Sequence, residues 1–185
     1  MTPETVIRAR DGDHDAFAAL AAGSIDRLYR VARMILRDGT LAEDVVQDTL
    51  LEAWRGLPGL REPDRFDAWL HRLLVRGCIR VGRRRRRDET GQVRLIEVDA
   101  PTTSDGQSGL AMRDLVEQGL RRLPPDERAL LVLRFYLDLP ESEIAEVVGI
   151  PAGTVKSRLH RASAQMRAAL EAEERRPLLP AGGID

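Results

Sequence analysis

Three observations predict an all-α chain built from two small helical domains. Aromatic residues make up only 4% of the 185 residues, long runs of Val, Ile and Thr are missing, and Leu, Ala, Arg and Glu abound, a balance that favours helix over strand. Apolar residues recur at spacings of three and four through most of the chain, the period of an amphipathic helix. Near the middle, from Asp88 to Gly109, that periodicity stops in a stretch of Pro, Gly, Ser, Thr and Asp with five acids against one arginine, which is expected to be a flexible acidic linker.

The chain is thereby divided into a first helical unit over 8–87, the linker over 88–109, a second helical unit over 110–174 and a disordered tail over 175–185 that holds two prolines and two glycines. In the first unit, Phe17, Leu20, Ile25, Leu28, Tyr29, Ala32, Ile35 and Leu36 predict a helix that Asp38-Gly39 ends. Thr40-Leu41-Ala42-Glu43 has the form of a capping box for the next helix, the side chains of Thr and Glu each satisfying a backbone donor. That second helix turns Val46, Leu50, Ala53 and Leu57 inward and leaves Asp44, Gln47, Asp48 and Leu51 on the outside. A third helix has Phe66, Leu70, Leu73, Gly77 and Val81 inward and Arg72, Arg76 and Arg80 outward, running on into Arg83 to Arg87. In the second unit the expected helices are 110–123, 125–137, 140–148 and 151–173; Pro125 and Pro151 suit first turns and Gly149 a stop.

Composition excludes several functions. With 43% hydrophobic and 32% charged residues the chain is neither a disordered polymer nor a membrane protein. No stretch approaches the roughly 18 apolar residues of a spanning helix, and Met1 to Asp15, with Glu4, Asp11, Asp13 and Asp15, does not read as a secretory signal. A lone cysteine, Cys78, rules out internal disulfides, so the reducing cytoplasm is the expected compartment. His14, His71 and His160 are scattered, and there is no Gly-rich phosphate loop or metal-ligand spacing; no enzyme, cofactor or metal site is expected. The net charge of −1 excludes a uniformly basic coat but not a polarised one.

Polarisation is what the sequence shows. Residues 143–159 read as a short helix, a Gly-containing turn and a second helix, with Ile144, Val148, Ile150, Val155 and Leu159 inward, the pattern of a helix-turn-helix. On the second helix Gly153, Ser157, His160 and Arg161 face out, flanked by Thr154 and Lys156. Residues 153–167 hold four basic groups and no acid, whereas 138–146 hold four acids and no base, so the second helix is the expected DNA reader. Arg158 lies nearer the core and either reads DNA or pairs with an acid of the first helix. The Arg72 to Arg87 ridge suits a phosphate backbone, and Trp69 and His71 are planar groups near it, available for stacking on single strands. Residues 38–54 hold five acids and no Lys or Arg; Asp44, Gln47, Asp48 and Leu51 form an acidic and apolar strip suited to a basic partner helix.

In combination these features resemble the extracytoplasmic-function group of bacterial sigma factors, the promoter-specificity subunits of RNA polymerase. The resemblance is carried by Ala42-Glu43-Asp44-Val45-Val46-Gln47-Asp48-Thr49, Ala68-Trp69-Leu70 and Arg83 to Arg87 in the first half. In the second half it is carried by Leu123-Pro124, Leu133-Arg134 and Gly153-Thr154-Val155-Lys156-Ser157-Arg158-Leu159-His160-Arg161-Ala162. It implies sigma region 2, a three- to four-helix bundle, joined by the linker to sigma region 4, a helix-turn-helix domain. It further implies that Asp44, Gln47, Asp48 and Leu51 dock on the β′ clamp of core polymerase and that region 4 meets the β flap. Trp69, Arg72, Arg76, Arg80, Arg83 and Arg84 would bind the minus-10 element, and Thr154, Lys156, Ser157, Arg158, His160 and Arg161 the minus-35 element. The free protein would be a monomer without membrane insertion, held by a separate anti-sigma factor. Family members commonly carry Asn where this chain has Gly77, which implies a lost base-edge contact. The competing reading is an autonomous helix-turn-helix regulator whose first half dimerises or senses a signal; it requires no polymerase dock.

Overall fold

The computed structural model describes residues 2–89 and 116–174, and among them there are helices and turns but no strand. The first half is built from α1 (Pro3–Arg10), α2 (His14–Ala22), α3 (Ile25–Leu36), α4 (Gly39–Gly56) and α5 (Phe66–Glu89), with two 3₁₀ turns, Leu57–Gly59 and Pro63–Arg65, between α4 and α5. The second half comprises a helical segment α6 over 116–121, α7 (Pro125–Leu131) with a π-helical continuation Val132–Tyr136, α8 (Glu141–Val148) and α9 (Ala152–Glu174). α5 continues through Asp88 and Glu89, where the linker was expected to begin; the remainder of the linker and the tail over 175–185 lie outside the described residues.

Local chemistry explains where the helices start and stop. The single helix expected between Phe17 and Leu36 is two, because Ser24 turns its hydroxyl back to the Leu20 carbonyl at 2.8 Å and the chain re-enters helix at Ile25. The cap of α4 is Asp38 rather than Thr40: its carboxylate accepts the Leu41 amide at 3.0 Å, so the helix begins at Gly39 and Thr40 is exposed. α1, which the sequence did not single out, buries Val6 and Ala9 against α2. At the other end, Gly149 closes α8 at φ 69°, a left-handed conformation natural to glycine.

α3, α4 and α5 pack on one another around fully buried Leu28, Val31, Ile35, Leu70, Leu74 and Val75. Gly77 faces α4: a Cβ added there would sit 3.1 Å from Val45 Cγ1. This residue lets α5 approach α4 closely.

Cys78 is fully buried on the inner side of α5, and burial pushes its thiol up to about 12. The native chain is therefore expected to leave a disulfide thiol reagent unreacted at pH 8, with one equivalent reacting on unfolding. Immediate native-state reaction would contradict the burial.

The two halves are in contact. α5 and α3 pack against α7, α5 meets α8, and the apolar core runs on through Leu123, Leu130, Leu133, Ile144, Val155 and Ala162. Gly82 permits the closest approach, since a Cβ there would fall 2.6 Å from Pro125 Cβ and 2.9 Å from its Cγ.

Candidate polymerase and nucleic-acid interfaces

The acidic strip on α4 is a free-standing surface. Asp44, Gln47, Asp48 and Leu51 are all exposed, Leu51 to 55%, whereas Ala42, Val45, Val46, Thr49 and Ala53 on the opposite face are buried. The carboxylates thus lie beside an unpartnered leucine on a rigid helix, an arrangement able to receive a basic, partly apolar helix.

The arginine ridge on α5 behaves differently from the expectation of an open phosphate-binding face. Arg72 Nη2 donates to Glu143 Oε2 at 2.9 Å and its Nη1 lies 3.9 Å from Glu146. Arg76 donates to the Glu146 and Val147 carbonyls at 3.0 and 3.2 Å, satisfying the orphan acceptors at the C-terminus of α8, where the helix dipole also favours a cation. Arg83 pairs with Asp126 at 2.9 Å. Arg80 and Arg84 remain exposed along a cleft of 820 Å³ between α5 and the end of α8. Three members of the ridge are therefore engaged by the second half, and the acids that engage them were not among the residues picked from sequence. The only sequence signal for Glu143 and Glu146 was the excess of acid on α8; Asp126, on α7, had none.

Of the two planar groups, Trp69 is half-buried, its ring tilted at 46° and 6.0 Å from that of Phe66 and lying against Gly56. His71 is 5% exposed; its Nδ1 bonds to the Asp67 carbonyl at 2.7 Å and its Nε2 accepts from Arg27 Nε at 3.2 Å. Burial, with Arg27 adding to it, holds the imidazole pKa below its ordinary value. His71 is a core group and unavailable for stacking on a strand.

On the helix-turn-helix the inward set matches expectation, with Ile144 and Val155 fully buried, Leu159 and Ala162 buried and Val148 and Ile150 half-buried. Lys156, Ser157, His160 and Arg161 are exposed along one side of α9, with Gly153 at its start and Thr154 half-buried. Ser157 turns its hydroxyl to the Thr154 carbonyl at 3.0 Å. Arg161 reaches Glu127 at 3.0 Å while 59% of its side chain stays exposed. Arg158 makes no ion pair with α8 among the described residues; it is half-buried beside Leu130, Val148 and Ile150, close to Asp126. Just before the motif, the π-helical turn leaves Phe135 71% and Tyr136 45% exposed, an exposure that the apolar spacing does not indicate. Among the described residues no cluster of His, Cys, Asp or Glu could hold a metal, and no helix is long and apolar enough to cross a membrane.

Comparisons with known proteins agree with this geometry. The Sigma-70 region 2 profile matches residues 22–88 and the Sigma-70 region 4 profile residues 113–166. SigM of Mycobacterium tuberculosis, an ECF RNA polymerase sigma factor, is 32% identical over 155 residues, covering 84% of this chain and 77% of that one. Among solved structures, CnrH in complex with the cytosolic domain of CnrY superposes with a TM-score of 0.62 at 28% identity, covering 92% of this chain and 97% of that one. The sigma factor RpoE of Bartonella quintana, crystallised with the anti-sigma factor NepR, shares the fold at a TM-score of 0.68 and 24% identity, covering 85% of this chain and 98% of that one. Acidic strip, arginine ridge and helix-turn-helix occur in the same order in one chain, each within or beside a matched region, and the chain belongs to the extracytoplasmic-function sigma factors of bacterial RNA polymerase.

Proposed function

We propose that this protein joins core RNA polymerase through Asp44, Gln47, Asp48 and Leu51 on the β′ clamp, with region 4 on the β flap, and then directs promoter recognition and transcription initiation. The observation that carries the reading is the exposed acidic and apolar strip of α4 standing apart from two basic surfaces in a sigma-factor fold. Trp69, Arg72, Arg76, Arg80, Arg83 and Arg84 take the minus-10 element; Thr154, Lys156, Ser157, Arg158, His160 and Arg161 take the minus-35 element in the major groove, phosphate and base contacts dividing the labour. Arg supplies 28 of the 29 basic groups, favouring planar bidentate contacts. The chain performs no covalent chemistry of its own and works in the cytoplasm. CnrH is held by the cytosolic domain of CnrY, and a protein inhibitor that occupies the basic or acidic surfaces is part of this proposal.

Weak DNA binding by the isolated chain follows from its near neutrality and from the engagement of Arg72, Arg76 and Arg83; polymerase would hold both readers at one separation and convert two weak contacts into a bivalent one. Run-off transcription on genomic fragments with matched core polymerase tests this directly. Promoter-dependent transcripts are expected, and Lys156→Ala with Arg161→Ala is expected to lower their yield at least about tenfold through loss of two charge-assisted contacts. No transcript on any fragment would overturn the function, and unchanged yield from the double variant would overturn the assignment of α9.

A further inference from the structure

An ion pair ties α9 to α7. Arg161 Nη2 donates to Glu127 Oε1 at 3.0 Å, while 59% of the arginine side chain stays exposed. Glu127, in the first turn of α7, is only 8% exposed, and its Oε2 is buried with no hydrogen-bond partner among the described residues. A carboxylate so placed opposes folding, because burial strips its water and one oxygen gains no donor in exchange. Stability therefore does not account for an acid at this position. The other groups of the same face are placed differently: Lys156 and His160 are exposed and pair with no acid among the described residues.

We infer, resting on the proposed role of α9 in the minus-35 element, that Glu127 is a positioning residue that fixes Arg161 to read one guanine there. Pairing with Glu127 cancels the net charge of Arg161, and a phosphate is drawn chiefly by net charge. A neutral base edge selects instead for donors held in a fixed direction. An anchored guanidinium fork supplies them to guanine O6 and N7. Glu127 takes one of its five hydrogens, so a bidentate edge remains for the base. Anchoring also orders the long side chain before DNA arrives, which lowers the entropic cost of the contact. Lys156, a compact and unpaired charge, is left to the phosphate backbone. With 34 positions between Glu127 and Arg161, only the packing of α7 on α9 brings the two together.

Selection by the holoenzyme from duplexes randomised over the length of a promoter, with sequencing of the bound fraction, reads the preference at every base pair. Wild type is expected to favour guanine at one minus-35 position by about tenfold or more. Glu127→Gln and Arg161→Lys should each flatten that same position by about tenfold and leave the others as they are. The double variant should lose no more than either single one, as two residues acting through one contact do. Arg161→Lys keeps the charge at an exposed position and cannot unfold the chain; Glu127→Gln removes a buried charge and should melt no lower than wild type. On the enriched duplex Arg161→Ala should leave the salt dependence of binding unchanged, whereas a phosphate contact would reduce its slope by about one. Full guanine preference in E127Q, a loss spread evenly over all positions, or a reduced slope in R161A with preferences intact would overturn the assignment. Enrichment of no sequence by wild type would remove the minus-35 role of α9 and this role of Glu127 with it; unchanged profiles in the variants would remove only the latter.

Discussion

Loss of core-polymerase binding by about 100-fold or more is the expected result of replacing Asp44 and Asp48 together by arginine. Both side chains are exposed on the outer face of α4, so the exchange costs the fold little. At the proposed interface, however, two favourable charges become two repulsive ones, and juxtaposed like charges cost several kcal/mol. Helix content and melting temperature should stay near wild type while co-purification with polymerase is lost. Retained affinity would place the dock elsewhere, and the competing reading of an autonomous regulator would regain ground if the same variant bound promoter duplex tightly without polymerase.

The second large effect is expected from Gly82→Ala. The added methyl would fall 2.6 Å from a proline ring atom that cannot swing away, and overpacking of this kind costs about 1–3 kcal/mol. Within α5 itself alanine is the better helix former by about 1 kcal/mol, so the front half is not weakened. The strain falls on the α5–α7 contact, whose partners also include the Arg83–Asp126 pair at 2.9 Å. G82A should therefore scatter X-rays with a larger radius of gyration and bind promoter duplex more tightly at low salt, as Arg72, Arg76 and Arg83 are released from α7 and α8. An unchanged radius and unchanged DNA affinity would show that the contact between halves restrains neither.

The helices and the outward faces were legible in the sequence for a common reason. A 3.6-residue apolar period specifies which side of a helix leaves water, so exposed Asp44, Asp48 and Leu51 and buried Ile144, Val155 and Leu159 follow from spacing. Boundaries were less legible because competing caps lie two residues apart: Asp38 and Thr40 are both good N-caps, and the backbone selects the one whose carboxylate reaches Leu41. The break at Ser24 was hidden because a serine hydroxyl bonding back to Leu20 leaves no interruption in the apolar period.

Sequence alone thus determined an all-helical chain, its motif order and the separation of acidic from basic surfaces, because each depends on neighbours within a few turns. Tertiary structure alone decided that His71 belongs to the core, that Gly77 and Gly82 serve helix contacts, and that Arg72 and Arg76 are taken up by α8 about 70 positions further along. It also decided that Arg37 and Arg128, remote in sequence, meet in one arginine-lined cavity. Those outcomes depend on which helix faces meet across the two halves, and charge, unlike apolar period, carries no local mark of the partner it will find.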